Sequence, residues 1–312
     1  MAARWHRWAP WIVLTALIAL PFVMSALGQG YYIGFARRVL IVALAATALN
    51  FMLGHAGMVA LGHAGFMGVG AYALVGFVEA GWSNAWLLWG AAIVVSASIA
   101  ALIGIVAVRT RGVYFIMITL AFAQMLYFAA VSLRTYGGDD GYTLYERPAL
   151  GLGLDAANDS TLYWVVLAIV AVAFWLFSRA ADSRFGQALM GIRENETRMR
   201  ALGFPVQQLR FAAFVATAAI AGLAGALLAA HNSFVSPSSM HWTQSATLVV
   251  MLVIGGIGHR WGGFVGATVW LVLEEVLRSL TDYWHWPLGV LLLVIVFFAP
   301  RGLTGLVKRA AP

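Results

Sequence analysis

Apolar runs of membrane-spanning length succeed one another along almost the whole chain, at 11–27, 38–53, 57–78, 85–108, 113–133, 161–178, 211–231, 244–258, 262–281 and 286–300. A helix needs ~20 apolar residues to cross the hydrocarbon layer of a bilayer. Inside that layer, only structures that satisfy their own backbone N–H and C=O groups survive. The chain is therefore expected to be an all-α integral membrane protein, a polytopic bundle of about nine or ten transmembrane or re-entrant helices forming one domain over 1–312. Charge density agrees, since 10% of the residues are charged where a soluble domain carries ~25%.

The charges that remain are unevenly placed. Loop 179–210 is the longest polar interval between apolar runs and holds Arg179, Arg184, Arg193, Arg198, Arg200 and Arg210 against Asp182, Glu194 and Glu196. The positive-inside bias makes it cytoplasmic. Walking outward from it puts both termini in the cytoplasm, with Arg4, Arg7, Arg109, Arg111, Arg260, Arg301, Lys308 and Arg309 on the same side. Arg37, Arg38, Arg134, Arg147 and Arg278 fall on the other side, together with the acidic residues Asp139, Asp140, Glu146, Asp155 and Asp159. The adjacent Arg37 and Arg38 are the misfit of this scheme. At the N-terminus, Arg4, Arg7 and the run 11–27 fit either a cleaved signal peptide or a helix; a retained helix with Trp5, Trp8 and Trp11 as an interfacial belt is favoured.

Loop 179–210 also carries structure of its own. Phe185, Leu189, Ile192, Met199 and Leu202 recur near one helical face, and Gly203-Phe204-Pro205 supplies a stop. A structured cytoplasmic loop on a membrane bundle implies a transporter gripped by a partner, or an amphipathic helix lying on the anionic leaflet. Lys308 is the single lysine, so no GxxxxGK[ST] phosphate loop exists and any ATP chemistry belongs to another subunit. There is no cysteine, which removes disulfides and thiolate metal sites. No cofactor and no nucleic-acid partner is expected.

Glycine is concentrated between Asn50 and Gly76, where GHAG occurs at 54–57 and again at 62–65. Such a segment lets backbones approach closely, and unwound backbone at membrane depth needs protein or a water-filled cavity around it. Gly54, Gly57, Gly62, Gly65, Gly68 and Gly70 are placed at the bundle centre, as candidate lining of a substrate path. The uncharged polar residues Asn50, Thr119 and Gln124 join them, because polar groups in hydrocarbon face the interior or a cavity; helix–helix glue is the alternative. His55 and His63 lack a third metal ligand and read as structural polar anchors near the inner surface. Ala221-Gly222-Leu223-Ala224-Gly225-Ala226 offers a small-residue packing face. Residues 231–237 read as an outer turn and 259–263 as a tight inner one. Glu274 and Arg278 have i,i+4 spacing near the outer end of their segment, where a structural pair is favoured over a functional one.

Taken together, these stretches resemble the LivM-type permease subunits of bacterial branched-chain amino-acid ABC importers. The resemblance rests on Asn50 through Tyr72, RGVYF at 111–115 with TLAFAQ at 119–124, GGDDG at 137–141, FGQALMGIREN at 185–195 with ALG at 201–203, Val235-Ser236-Pro237, GGIG at 255–258 with Trp261-Gly262, and Pro300-Arg301-Gly302-Leu303. It implies a multi-pass protein of the bacterial inner (cytoplasmic) membrane. It also implies a second, related LivH-type permease subunit, two cytoplasmic ATP-binding subunits and a periplasmic solute-binding protein. In such importers a cytoplasmic E-A-A-x-x-x-G segment docks into the ATPase. Here Glu196 and Gly203 are the counterparts of its ends, seven residues apart where the pattern has six, and Thr197, Arg198 and Met199 stand in place of its small residues. The coupling segment implied is Arg193, Glu194, Asn195, Glu196, Ala201, Leu202 and Gly203.

Two rival classes are weaker. A secondary transporter needs ionisable groups near the midplane of broken helices, and Glu274, Glu275 and Arg278 are confined to one segment. A membrane enzyme lacks any HExxH-type spacing or cysteine nucleophile. The resemblance implies leucine-like amino acids as the favoured substrates, with urea, short amides or aromatic acids as alternatives.

Overall fold

The computed structural model describes residues 15, 17–24, 28–145, 147–151, 158–299 and 302–305. The sequence predictions for Arg4, Trp5, Arg7, Trp8, Trp11, Glu146, Asp155, Arg301, Lys308 and Arg309 lie outside these residues, as do 11–14, 16 and 25–27 of the run 11–27, of which 17–24 is helical.

Nearly everything described is helix, as the apolar runs require: α1 (Gly30–Ala56), α2 (His63–Glu79), α3 (Ala85–Ala107), α4 (Val113–Ser132), α5 (Asp159–Asp182), α6 (Arg184–Glu194), α7 (Glu196–Ala201), α8 (Val206–Asn232), α9 (Trp242–Gly255), α10 (Gly262–Leu280) and α11 (His285–Phe298). Five of them, α1, α3, α4, α5 and α8, are long and apolar enough to cross a membrane by themselves. The protein is an all-α multi-pass membrane protein. The two-residue strands β1 (Tyr142–Thr143) and β2 (Phe234–Val235) pair antiparallel and tie the connections after α4 and α8 together.

Cross-contacts fix the direction of each helix. At one end, which carries α6 and α7, Arg111 meets Glu196, Arg260 meets Asp182 and Asn50 meets the His259 carbonyl. At the far end Arg37 meets Asp159, Arg38 meets Glu274 and Ala85 N–H meets the Ala149 carbonyl. Consecutive long helices alternate between these two ends. The centre belongs to α1 and α8: 89% of the most apolar stretch of α1 is buried, against 22% for α4. α4 turns only Phe115, Thr119, Ala123 and Ala130 inward and presents Tyr114, Met117, Met125 and Phe128 outward. Those apolar side chains face lipid or another subunit.

Helix boundaries follow local chemistry. Asn84, Asn158, Ser183 and Asn195 each accept a hydrogen bond from a first-turn N–H of the helix they precede, which satisfies a donor that has no intrahelical partner. The predicted amphipathic helix of loop 179–210 is in fact two helices, because Asn195 closes α6 through its N–H to the Gly191 carbonyl and opens α7 with its side chain. Leu189, Ile192 and Met199 are buried as expected, whereas Leu202, beyond the break, is 65% exposed. The run 57–78 is likewise shorter as a helix. Gly57 ends α1 with φ of 65°, and 57–62 run as non-helical backbone until α2 begins.

Arg37 and Arg38, the misfit of the charge pattern, now have a physical account. Arg37 is 2% exposed; its Nε donates to His231 Nδ1 at 2.8 Å and its Nη1 donates to Asp159 at 3.1 Å. Arg38 pairs with Glu274. Both arginines serve a far-end ion network, and so their position reports pairing rather than the side of the membrane.

Candidate functional site

Loop 57–62 is non-helical backbone with Met58, Ala60 and Gly62 buried, and Asn50 and Thr119 serve it or its neighbour at 256–262. The Asn50 side chain donates to the His259 carbonyl at 2.8 Å and accepts from Gly258 N–H at 2.9 Å. Both ends of its amide thus hold the α9–α10 turn. Thr119 Oγ1 accepts from Leu61 N–H at 3.3 Å and donates to the Ile116 carbonyl at 3.0 Å. Ser245, which the sequence reading passed over, accepts from Ala64 N–H at 2.9 Å through its Oγ. Buried backbone donors need such partners, and these two hydroxyls supply them where the helix ladder is broken. Gln124 differs: it is half-buried on α4, and among the described residues its amide has no hydrogen-bond partner.

The glycines mark close backbone approaches. A Cβ at Gly54 would lie 2.5 Å from Gly258 Cα, one at Gly62 would lie 2.8 Å from the Thr119 carbonyl, and one at Gly65 would touch Leu126 and Ala123. One at Gly57 would lie 2.9 Å from Arg193 Cγ, one at Gly68 would enter the Met240 side chain, and one at Gly70 would land on the Gly222 carbonyl. These positions thus bring α2, loop 57–62, α4, α8 and the α9–α10 turn into contact. Of the two histidines, His55 stacks on Phe51, with ring centroids 4.9 Å apart, and neither nitrogen of the fully buried His63 has a hydrogen-bond partner among the described residues. No group of three His, Cys, Asp or Glu suited to a metal occurs among the described residues.

At the basic end the loop is fastened at two points. Arg193 Nη1 donates to the Gly54 carbonyl in the last turn of α1, where the helix dipole favours a cation. Glu196, the first residue of α7, gathers Arg111 at 2.8 Å, Arg200 at 2.9 Å and Arg210 at 3.6 Å. Those three arginines come from the α3–α4 connection, α7 itself and α8. Leu202 and Gly203 then follow at the surface; Gly203 has φ of 83° and open space where a Cβ would be, the left-handed stop its position requires. Glu194, Asn195 and Ala201 are exposed in the same segment.

The far end holds what sequence reasoning missed. A chamber of about 1290 Å³ opens between α1, α8, α9, α10 and α11. Its upper wall carries Tyr31, Arg38, Glu274 and Arg278, its middle Thr243, Gln244 and Thr247, and its depth Val42, Met67, Ala71, Met251 and Leu271. From Gly30 to Val42 is twelve helical residues, so the chamber reaches ~18 Å along α1. Thr243 and Thr247, four apart on the short α9, were the available signal. They look unremarkable without the neighbours that only the fold supplies.

Residues 31–299 match the family model described as branched-chain amino acid transport system, permease component. The chain belongs to this permease family. Two curated relatives carry the name high-affinity branched-chain amino acid transport system permease protein LivM, one from Salmonella typhimurium and one from Escherichia coli; each is 27% identical, over 93% of this chain and 73% of the relative. A probable branched-chain amino acid transport permease protein LivM of Methanocaldococcus jannaschii is 28% identical over 45% of each chain. No solved structure matches. Within the permease, the family match runs through α1 to α11 and so takes in the glycine segment, the fastened loop and the chamber together.

Proposed function

We propose that this permease is one transmembrane subunit of a bacterial ABC importer of the inner membrane, forming half of the path for branched-chain, leucine-like amino acids. Loop 179–210 is its cytoplasmic docking element for a separate ATPase, one of two ATP-binding subunits in the complex. A related LivH-type permease completes the path, and a periplasmic solute-binding protein delivers substrate at the far end. The observation that carries this reading is the pair α6–α7: a short, basic, surface-exposed helical element that is nonetheless bolted to α1, α3–α4 and α8 through Arg193 and Glu196. A helix merely resting on lipid has no need of that anchorage. A docking element that must pass force into the bundle does.

The test is uptake by proteoliposomes holding the complete complex. Leucine accumulation is expected to need ATP and to persist after a protonophore collapses the proton gradient. Uptake that collapses with the gradient would place the chain among secondary transporters instead.

Asn50, Gly54, Gly57, Gly62, Gly65, Gly68, Gly70, Thr119 and Gln124 are proposed to line or abut the path. The amides and hydroxyls of Asn50 and Thr119 shape it by holding loops, and Gln124 is the member with an open amide. Gln124→Leu is expected to leave complex assembly and basal ATPase activity near wild type and to lower leucine flux severalfold at saturating binding protein. Unchanged flux, or failed assembly, would remove Gln124 from the path.

A further inference from the structure

The far-end chamber contains a charge arrangement that packing alone does not call for. Glu274, at 8% exposure, is shared by two guanidiniums, Arg278 at 2.8 Å on its own helix and Arg38 at 3.6 Å from α1. Its neighbour Glu275 is turned away to accept from the Tyr31 hydroxyl at 2.5 Å. Lower on the rim, Asp159 is likewise claimed by two arginines, Arg37 and Arg147. Glu274 and Asp159 thus each face two guanidiniums, whereas Glu275 is met by the Tyr31 hydroxyl. An arginine carries five N–H donors, and at 3.6 Å Arg38 is an ion-pair partner of Glu274 without a hydrogen bond to it. Arg278 also lies over the Trp284 ring, its Cζ 4.6 Å from the centroid, a cation–π contact that helps to position it. Below this pair come the uncharged polar Thr243, Gln244 and Thr247, then the apolar Val42, Leu248, Met251, Trp270 and Leu271.

We propose that this chamber is a solute-binding vestibule inside the single permease subunit, in which Arg38 and Arg278, spaced by Glu274, receive the carboxylate of a small amphiphilic solute whose apolar part points toward Met251 and Leu271. The inference deepens the reading above and rests on it for the choice of leucine as the solute. The carboxylates that line the chamber, Glu274 and Asp159, each already face two arginines, and Glu275 does not line it, so an incoming carboxylate rather than an ammonium dominates recognition. A guanidinium pair prefers an oxyanion for its planar, paired acceptors. The depth supplies apolar wall for a branched side chain, and Met67 and Ala71 make its floor continuous with the glycine segment. A solute seated here stands at the entrance to the proposed path.

The chain lacks cysteine, which allows a direct test. Thr247→Cys places one thiol on the chamber wall. The complete importer carrying it, in phosphatidylcholine nanodiscs, is treated with a thiol reagent in the presence of L-leucine or L-leucinamide, which differs by lacking the carboxylate. Leucine is expected to slow modification by about tenfold in a saturable way and leucinamide to have little effect; Arg278→Gln should abolish the protection and Arg278→Lys should restore part of it. If the wild-type importer takes up leucine but leucine and leucinamide protect equally, or neither protects, the vestibule is wrong while the transport reading stands. If leucine is neither taken up nor protective, yet hexanoate protects and hexanamide does not, the carboxylate site stands and the leucine reading falls. If phosphatidylglycerol discs alone slow the reaction as much as leucine does in phosphatidylcholine, and Arg278→Gln relieves this, the arginines hold a lipid phosphate and the solute site is overturned.

Discussion

Glu196→Ala is expected to cost leucine transport at least ~30-fold while leaving the membrane bundle folded. The reason lies in what the carboxylate holds. Glu196 faces Arg111, Arg200 and Arg210, and its removal leaves three guanidiniums converging on nothing. Arg210 is 7% exposed and Arg111 and Arg200 are about half exposed, so the penalty falls between a surface pair and a buried one, about 1–3 kcal/mol. The bundle can absorb that amount, since domains are stable by ~5–15 kcal/mol. α7 cannot, because a six-residue helix has almost no stability without tertiary anchorage. The same carboxylate joins α7 to the α3–α4 connection and to α8, so the loop should come loose from both at once. ATPase activity in the assembled complex should then continue without responding to loaded binding protein, and Glu196→Gln should give the same loss because the geometry survives but the charge does not. An α7 whose amides exchange with deuterium as slowly in Glu196→Ala as in the wild type would remove this account.

The legibility of the chain divides along physical lines. The helices were readable because hydrocarbon leaves the backbone no other choice: the runs 85–108, 113–133 and 262–281 correspond to α3, α4 and α10 within a residue or two at each end. Gly203 as a left-handed stop and the Glu274–Arg278 pair were readable because both are local, set by spacing within one helix. The break at Asn195 was missed because an amphipathic pattern can continue across a change of helix axis, and only the capping side chain shows the interruption. Arg37 misled for a different reason. A charge count assigns it to a side of the membrane, while its position is dictated by His231 and Asp159, residues 194 and 122 positions away. The chamber was invisible for the same reason, since Arg38, Thr247 and Arg278 come from three helices that meet only in the fold. Polar residues that look alike in sequence separate in structure by what they touch: Asn50 is consumed by backbone groups, and Gln124 on α4 is not.

Gly70→Val is expected to abolish the folded protein, and the comparison with two other glycines shows why. α2 and α8 meet backbone to backbone: a Cβ at Gly70 would land on the Gly222 carbonyl, and one at Gly225 on the Met67 carbonyl. Between lipid-soluble helices there is no hydrophobic gain from association, so close van der Waals packing carries the contact. Overpacking against mobile side chains costs about 1–3 kcal/mol. Here the opposing atoms are a helix backbone that cannot rotate away, and the loss should exceed about 3 kcal/mol, against only a few tenths of a kcal/mol gained in helix propensity over glycine. Gly68→Ala meets the buried Met240 side chain at its Cγ and should cost about 1–3 kcal/mol. Gly90→Ala has nothing within 4 Å and should be neutral or stabilising by up to about 1 kcal/mol. The measurement is the yield of monodisperse protein in detergent and its melting temperature, which should fall in the order Gly90→Ala, Gly68→Ala, Gly70→Val. The series also separates packing from transport. If Gly70 borders open space in the path rather than the α8 backbone, Gly70→Val would melt like the wild type and lower only solute flux, and the α2–α8 contact would have to be redrawn.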